Sequence, residues 1–83
     1  MKKFKNIRVK VKEKEVKKIE ISTDFIRLDS ALKLCDIAPT GGIAKIIIGS
    51  GDIKVNNEVC IQRGKKLRSG DCFEFEGTVY EII

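Results

Sequence analysis

Histidine is absent from the 83 residues. That removes His-based triads, His-ligated metals and any imidazole proton shuttle near neutral pH. Cysteine occurs only at Cys35, Cys60 and Cys72, an odd count with spacings of 25 and 12. This fits neither a disulfide framework nor a CxxC or zinc-knuckle pattern. Each cysteine sits among apolar neighbours, so buried, reduced thiols are expected. Aromatics are few, 6% of the chain, at Phe4, Phe25, Phe73, Phe75 and Tyr80. No apolar run approaches the ~18 residues of a membrane span. The opening Met1-Lys2-Lys3-Phe4-Lys5 leads into no apolar stretch of the kind a signal peptide carries. A cytoplasmic protein without membrane contact, resident cofactor, metal or small-molecule substrate is therefore expected. The length allows one small domain.

What the chain has is positive charge, unevenly placed. Its net charge is +5. Residues 1–20 carry nine Lys/Arg and three Glu, whereas residues 21–83 carry eight Lys/Arg and nine Asp/Glu. Within the second part, Arg63, Lys65, Lys66 and Arg68 crowd into six positions. A basic face on a small domain suits a polyanion, usually nucleic acid, although charge alone also serves solubility.

Hydrophobic periodicity sets the elements. Ile7, Val9 and Val11 alternate with basic residues, as in a half-buried strand. Residues 12–15 read as a turn, and Ile19 and Ile21 resume the alternation in a strand near residues 16–22; a charged helix across residues 10–20 is the competing reading, which fits the apolar spacing less well. Leu28, Leu32 and Cys35, widened by Ala31 and Leu34, form a helical stripe over residues 28–35. The segment from Asp36 to Gly42, with the only proline at Pro39, breaks it. Thr40 suits the N-cap of a second helix through residues 42–50, and Gly51 its C-cap, although the β-branched run Ile46-Ile47-Ile48 also suits a strand. Ile53-Lys54-Val55 and Glu58-Val59-Cys60-Ile61 flank Asn56-Asn57, two residues able to take the positive φ of a hairpin turn. Residues 62–71 read as a basic loop. Strands from Cys72 to Glu76 and Val79 to Ile82 follow, joined by a turn at Gly77-Thr78. The outcome is an α+β domain of two short helices on a small, mainly antiparallel sheet, with an extra N-terminal strand pair.

Several elements stand in a telling order: Arg27-Leu28-Asp29 opening a helix, a small-residue break, Ala44-Lys45 in a second helix, Gly51-x-Ile53-x-Val55-Asn56, and Arg68-Ser69-Gly70-Asp71 leading a strand. This order resembles the S-four RNA-binding domain of ribosomal small-subunit protein four, whose helix pair and following strands form the alpha-L motif. Thr40-Gly41-Gly42-x-Ala44-Lys45 together with Arg63-Gly64-Lys65-Lys66-Leu67-Arg68 is similar to the small free-standing bacterial members. The resemblance divides the chain into a basic N-terminal extension, residues 1–22, and the S-four-like domain, residues 23–83. It departs from the family pattern in three places. Asn57 stands where Gly is usual, Ser69 where Pro is common, and Ile43 at a helix position that is usually polar.

The resemblance implies RNA binding by the face that the helix pair shares with the basic loop. The residues support this on their own terms. Gly41 and Gly42 at a helix N-terminus offer N–H groups to an anion, unless they serve only the turn between helices. Lys45, one turn into that helix, can meet the same phosphate or stand as a solvated lysine. Thr40 belongs to the same corner. Arg27 and Lys33 would extend the track along the first helix, and Lys54 along the following strand. Arg63, Lys65, Lys66 and Arg68 form the densest run, with the arginines suited to bidentate phosphate contacts. Phe73 and Phe75 share one strand face and suit the core. Structured ribosomal or transfer RNA would thus be read through backbone shape and charge.

Asp29, Asp52 and Asp71 each fit a helix start or turn better than a catalytic dyad, so no enzyme is expected. The reading is of a monomeric, non-catalytic RNA-binding protein acting in ribosome assembly or translation quality control. A protein-interaction adaptor using Ile43 and an N-terminal edge strand is the alternative, as is a duplex DNA-binding module.

Overall fold

The computed structural model describes residues 14–83, so the strand expected over residues 7–11 lies outside them. In chain order the elements are β1 (Glu15–Ile19), β2 (Ile26–Arg27), α1 (Leu28–Leu34), α2 (Gly41–Gly49), β3 (Lys54–Val55), β4 (Glu58–Val59), β5 (Lys66–Leu67), β6 (Cys72–Phe75) and β7 (Thr78–Ile82). A five-stranded sheet runs β1-β7-β6-β3-β4, and β2 with β5 forms a separate two-stranded pair. All pairings are antiparallel except β1 with β7, where Glu15 aligns with Thr78 and Ile19 with Ile82. The fold is α+β, as the periodicity implied.

Helix α1 buries Leu28, Ala31 and Leu32, the i, i+3, i+4 stripe that packs against α2. It ends in a Schellman arrangement. The Ile37 N–H donates to the Leu32 carbonyl at 3.0 Å and the Asp36 N–H to that of Lys33 at 3.2 Å. Asp36 takes the left-handed position at φ 61°, where glycine is commoner. Helix α2 starts at Thr40, whose hydroxyl accepts the Ile43 N–H at 3.2 Å. It buries Ala44 and Ile48, so Ile46-Ile47-Ile48 is helical despite its β-branching. Ser50 is its C-cap, and Gly51, one residue later, supplies the left-handed turn at φ 81°.

Turn chemistry sets the hairpins. Asn56 and Asn57 both have positive φ, 50° and 73°, the two-residue geometry that matches strand twist. The β6–β7 turn falls on Glu76 and Gly77, φ 49° and 83°, one residue earlier than expected. Thr78 therefore opens β7, opposite Phe75. At the other end, Glu15 already belongs to β1 and the strand stops at Ile19, not residue 22.

The core joins the helices to the sheet through Leu28, Leu32, Ile48, Ile53, Leu67, Phe73 and Ile82, all fully buried. Phe73 stacks on Tyr80 with centroids 4.8 Å apart, and Phe75 packs against this cluster. The two phenylalanines thus serve packing, as their shared parity implied. The main correction concerns residues 62–71. They are not all loop, because Lys66–Leu67 pairs with Ile26–Arg27 at the mouth of α1.

Candidate nucleic-acid interface

That short pairing assembles most of the basic residues singled out by sequence. Leu67 is buried and anchors β5, so its neighbours Lys66 and Arg68 stand on the opposite, exposed side. Both reach the ring of Phe25. Lys66 Nζ lies 4.9 Å from its centroid and Arg68 Cζ 5.8 Å, within cation–π range. Residues 62–65 form a tight turn, in which the Lys65 N–H donates to the Gln62 carbonyl at 3.1 Å.

The carbonyls of this turn close the start of α1. The Leu28 N–H donates to the Lys65 carbonyl at 2.8 Å and the Asp29 N–H to the Arg63 carbonyl at 3.1 Å. The Ser30 N–H donates to Asp29 Oδ1 at 2.8 Å. Three opening N–H groups of α1 are therefore satisfied within the chain. Arg27, at the N-cap, donates from Nε and Nη2 to the two oxygens of Asp29 at 3.2 and 3.1 Å. Its Nη2 also lies 3.6 Å from where a side chain on Gly64 would begin. Arg27, Arg63, Lys65, Lys66 and Arg68 thus share one corner. Among the described residues, only Arg27 of these five forms an ion pair with a carboxylate.

The start of α2 is different. Thr40 caps only the Ile43 and Ala44 N–H groups, and no described residue accepts a hydrogen bond from the N–H of Gly41 or Gly42; both residues are exposed. Neither has positive φ. A Cβ on Gly41 would meet nothing within 4 Å, and one on Gly42 would meet only Thr40 Oγ1 at 3.8 Å. The turn therefore does not require glycine at either position. Lys45 is exposed one turn further on, on the face it shares with Gly41.

Two candidates stand elsewhere. Lys33 is exposed in the last turn of α1, about 9 Å along the axis from Arg27. Lys54 is exposed on β3, aligned with Glu74 of β6.

Asp71 ties the end of the basic run to the β3–β4 turn. Its Oδ2 accepts the Arg68 N–H at 2.8 Å and its Oδ1 accepts from Asn56 Nδ2 at 3.2 Å. Asn56 Oδ1 in turn accepts the Cys72 N–H at 3.1 Å. The Arg68 N–H, with Asn56, Lys65 and Arg68 adding to it, holds the Asp71 carboxyl below the usual aspartate range, against a smaller opposing effect of burial.

The cysteines are free but half-buried, not fully buried as expected. Burial pushes the Cys35 thiol up, with Asp36 adding and Lys17 opposing, which keeps it protonated at neutral pH. Among the described residues no group of three His, Cys, Asp or Glu side chains could hold a metal. No helix there is long and apolar enough to cross a membrane.

Sequence reasoning missed Phe25 as a seat for cations, since it lies some forty positions from Lys66 and Arg68. It also missed Ile46, which is 62% exposed beside Ile43 at 40%. Their i, i+3 spacing was visible but unremarked.

Comparison with known proteins adds a family. A model of the S4 domain matches residues 19–83. The protein named probable ribosome maturation protein RlbA, from Bacillus subtilis (strain 168), is 42% identical over 59 residues, covering 71% of this chain and 83% of that protein. The solution structure of YbcJ from E. coli, described as revealing an alfaL motif involved in RNA-binding, superimposes with a TM-score of 0.59. It is 22% identical, over 94% of this chain and 98% of that one, a likeness of fold.

Proposed function

Because the chain belongs to the S4-domain family, we propose that it is a non-catalytic, monomeric, cytoplasmic protein that binds structured ribosomal RNA during ribosome assembly. One observation carries the reading: Arg63, Lys65, Lys66 and Arg68 are exposed and lack carboxylate partners among the described residues, while their backbone is held in place by α1 and β2. Cations kept unpaired on a rigid support suit phosphate better than they suit the fold. The open N-terminus of α2 and Lys45 supply a second phosphate site beside the same helix pair. Arg27, Lys33, Thr40 and Lys54 extend the track. The name of the Bacillus subtilis relative supports ribosome maturation as the setting.

With about five cations on phosphates, log affinity falls with log salt at a slope of roughly −3.5 to −4.5. The test is recovery and sequencing of crosslinked RNA from cells, with R63E/K65E/K66E/R68E alongside. Enrichment of one ribosomal site, lost in the variant, is the expected result. The same diffuse background from both proteins sinks the reading. An adaptor role has one observation in its favour, the exposed pair Ile43 and Ile46. It predicts a protein partner retained by the charge-reversed variant. Ligands of equal sequence with and without the 2′-hydroxyl separate RNA from duplex DNA.

A further inference from the structure

A groove of about 300 Å³ lies between the β3–β4 hairpin and the 62–65 turn. Val59 and Ile61 line it and are 60% and 64% exposed, which is costly for two β-branched aliphatics on so small a domain. Its polar lining includes Glu58, Gln62 and Lys65. None of these three side chains has a hydrogen-bond or ion-pair partner among the described residues. Asn56 also lines it, but its amide is already bound to Asp71 and Cys72.

The groove is continuous with the cationic corner. Gln62 and Lys65 are the two feet of the turn whose tip carries Arg63. A strand whose phosphates met Arg63 and Lys65 would therefore bring its sugar and base to the groove mouth. We infer that this groove takes one unpaired nucleobase of the bound RNA, an inference that rests on the RNA-binding reading. Val59 and Ile61 would cover the apolar face of the base. Glu58, as an acceptor, and Gln62, as donor and acceptor, would meet its polar edge. Lys65 would hold the adjoining phosphate. Flat, partly apolar and edged with hydrogen-bonding groups, a base uses all of these features, whereas a paired helix presents none to a concave site.

The experiment compares two RNA hairpins identical but for one bulged position, which carries a base in one and an abasic ribose in the other. Both are titrated against wild type, V59S/I61S and R63E/K65E/K66E/R68E in the same buffer. The exposed positions of Val59 and Ile61 make the serine variant neutral to folding, which a matched unfolding curve checks. Wild type is expected to prefer the base-bearing bulge about tenfold, and V59S/I61S to lose that preference while still binding both hairpins. Equal binding of the two hairpins by wild type, with loss in the charge-reversed variant, overturns the groove inference and leaves the RNA reading intact. Binding of both hairpins unaffected by charge reversal, or no binding at all, overturns the RNA reading and the groove inference together.

Discussion

The two helices begin in opposite ways. At α1 the opening N–H groups of Leu28, Asp29 and Ser30 are taken by the carbonyls of Lys65 and Arg63 and by Asp29 itself. At α2 only Ile43 is capped by a side chain, and Gly41 and Gly42 present bare, exposed N–H groups. Both ends carry the same partial positive charge from aligned peptide dipoles. The chain uses one of them internally, to hold the basic turn, and leaves the other without an acceptor among the described residues. Fold and candidate site are thus built from the same helix-end chemistry, separated by whether a neighbouring segment reaches it.

Three experiments can break or sharpen this contrast. The largest effect belongs to Leu67→Ala. Truncating the buried anchor of β5 is expected to cost about 2–5 kcal/mol in urea unfolding. In whatever folded population remains, amide exchange should quicken at Leu28 and Asp29 and not at Ile43. Equal quickening at both helix starts would mean that β5 does not cap α1 selectively.

A smaller effect, of different kind, is expected from Gly41→Ala combined with Gly42→Ala. Nothing crowds either position and neither needs positive φ, so stability should hold or rise by up to about 1 kcal/mol. RNA affinity should nonetheless fall several-fold, because the new methyls stand where a phosphate would approach. Unchanged affinity in a filter-binding assay would assign those glycines no part in binding.

The smallest is a pH effect at Asp71. Its folded-state pKa is depressed, first by the Arg68 N–H. Its contribution to stability is therefore fully present above the ordinary aspartate value of about 3.9. It is lost as pH falls through the lower, folded-state value. Asp71→Asn should remove that part of the acid limb of a stability–pH curve. An unaltered limb would contradict the depressed carboxyl.

Legibility followed the length of the signal. Helix α1 was readable because Leu28, Leu32 and Cys35, widened by Ala31, repeat at helical spacing, and Asn56-Asn57 carries its turn geometry in two adjacent residues, whereas α2 was only half readable because Ile46-Ile47-Ile48 suits a strand as well. Strand β5 was not readable, since two residues have no period and its one apolar member, Leu67, sits inside a run of cations. The β6–β7 turn slipped by one because Glu76 takes a left-handed conformation that its side chain does not advertise. The basic residues were visible as a cluster. Their gathering around Phe25 and the capping of α1 are contacts between distant segments, without a local signature. The groove beside Val59 and Ile61 escaped for a related reason, since alternation alone does not say which strand residues stay uncovered.

The parallel pairing of β1 with β7 carries a consequence for how the molecule is made. Ile19 and Ile82 are register partners 63 positions apart, so a strand synthesised early has no neighbour until almost everything else in the described chain has appeared. The helix pair, joined by a short break, closes on local contacts and can form well before that. Pairing across so long a loop is then expected to be slower than forming the local contacts, which folding kinetics of an Ile82→Ala variant would check. Until it occurs, β1, with Lys17 and Lys18, has no sheet partner. A nascent chain in that state could meet polyanions before its sheet is complete.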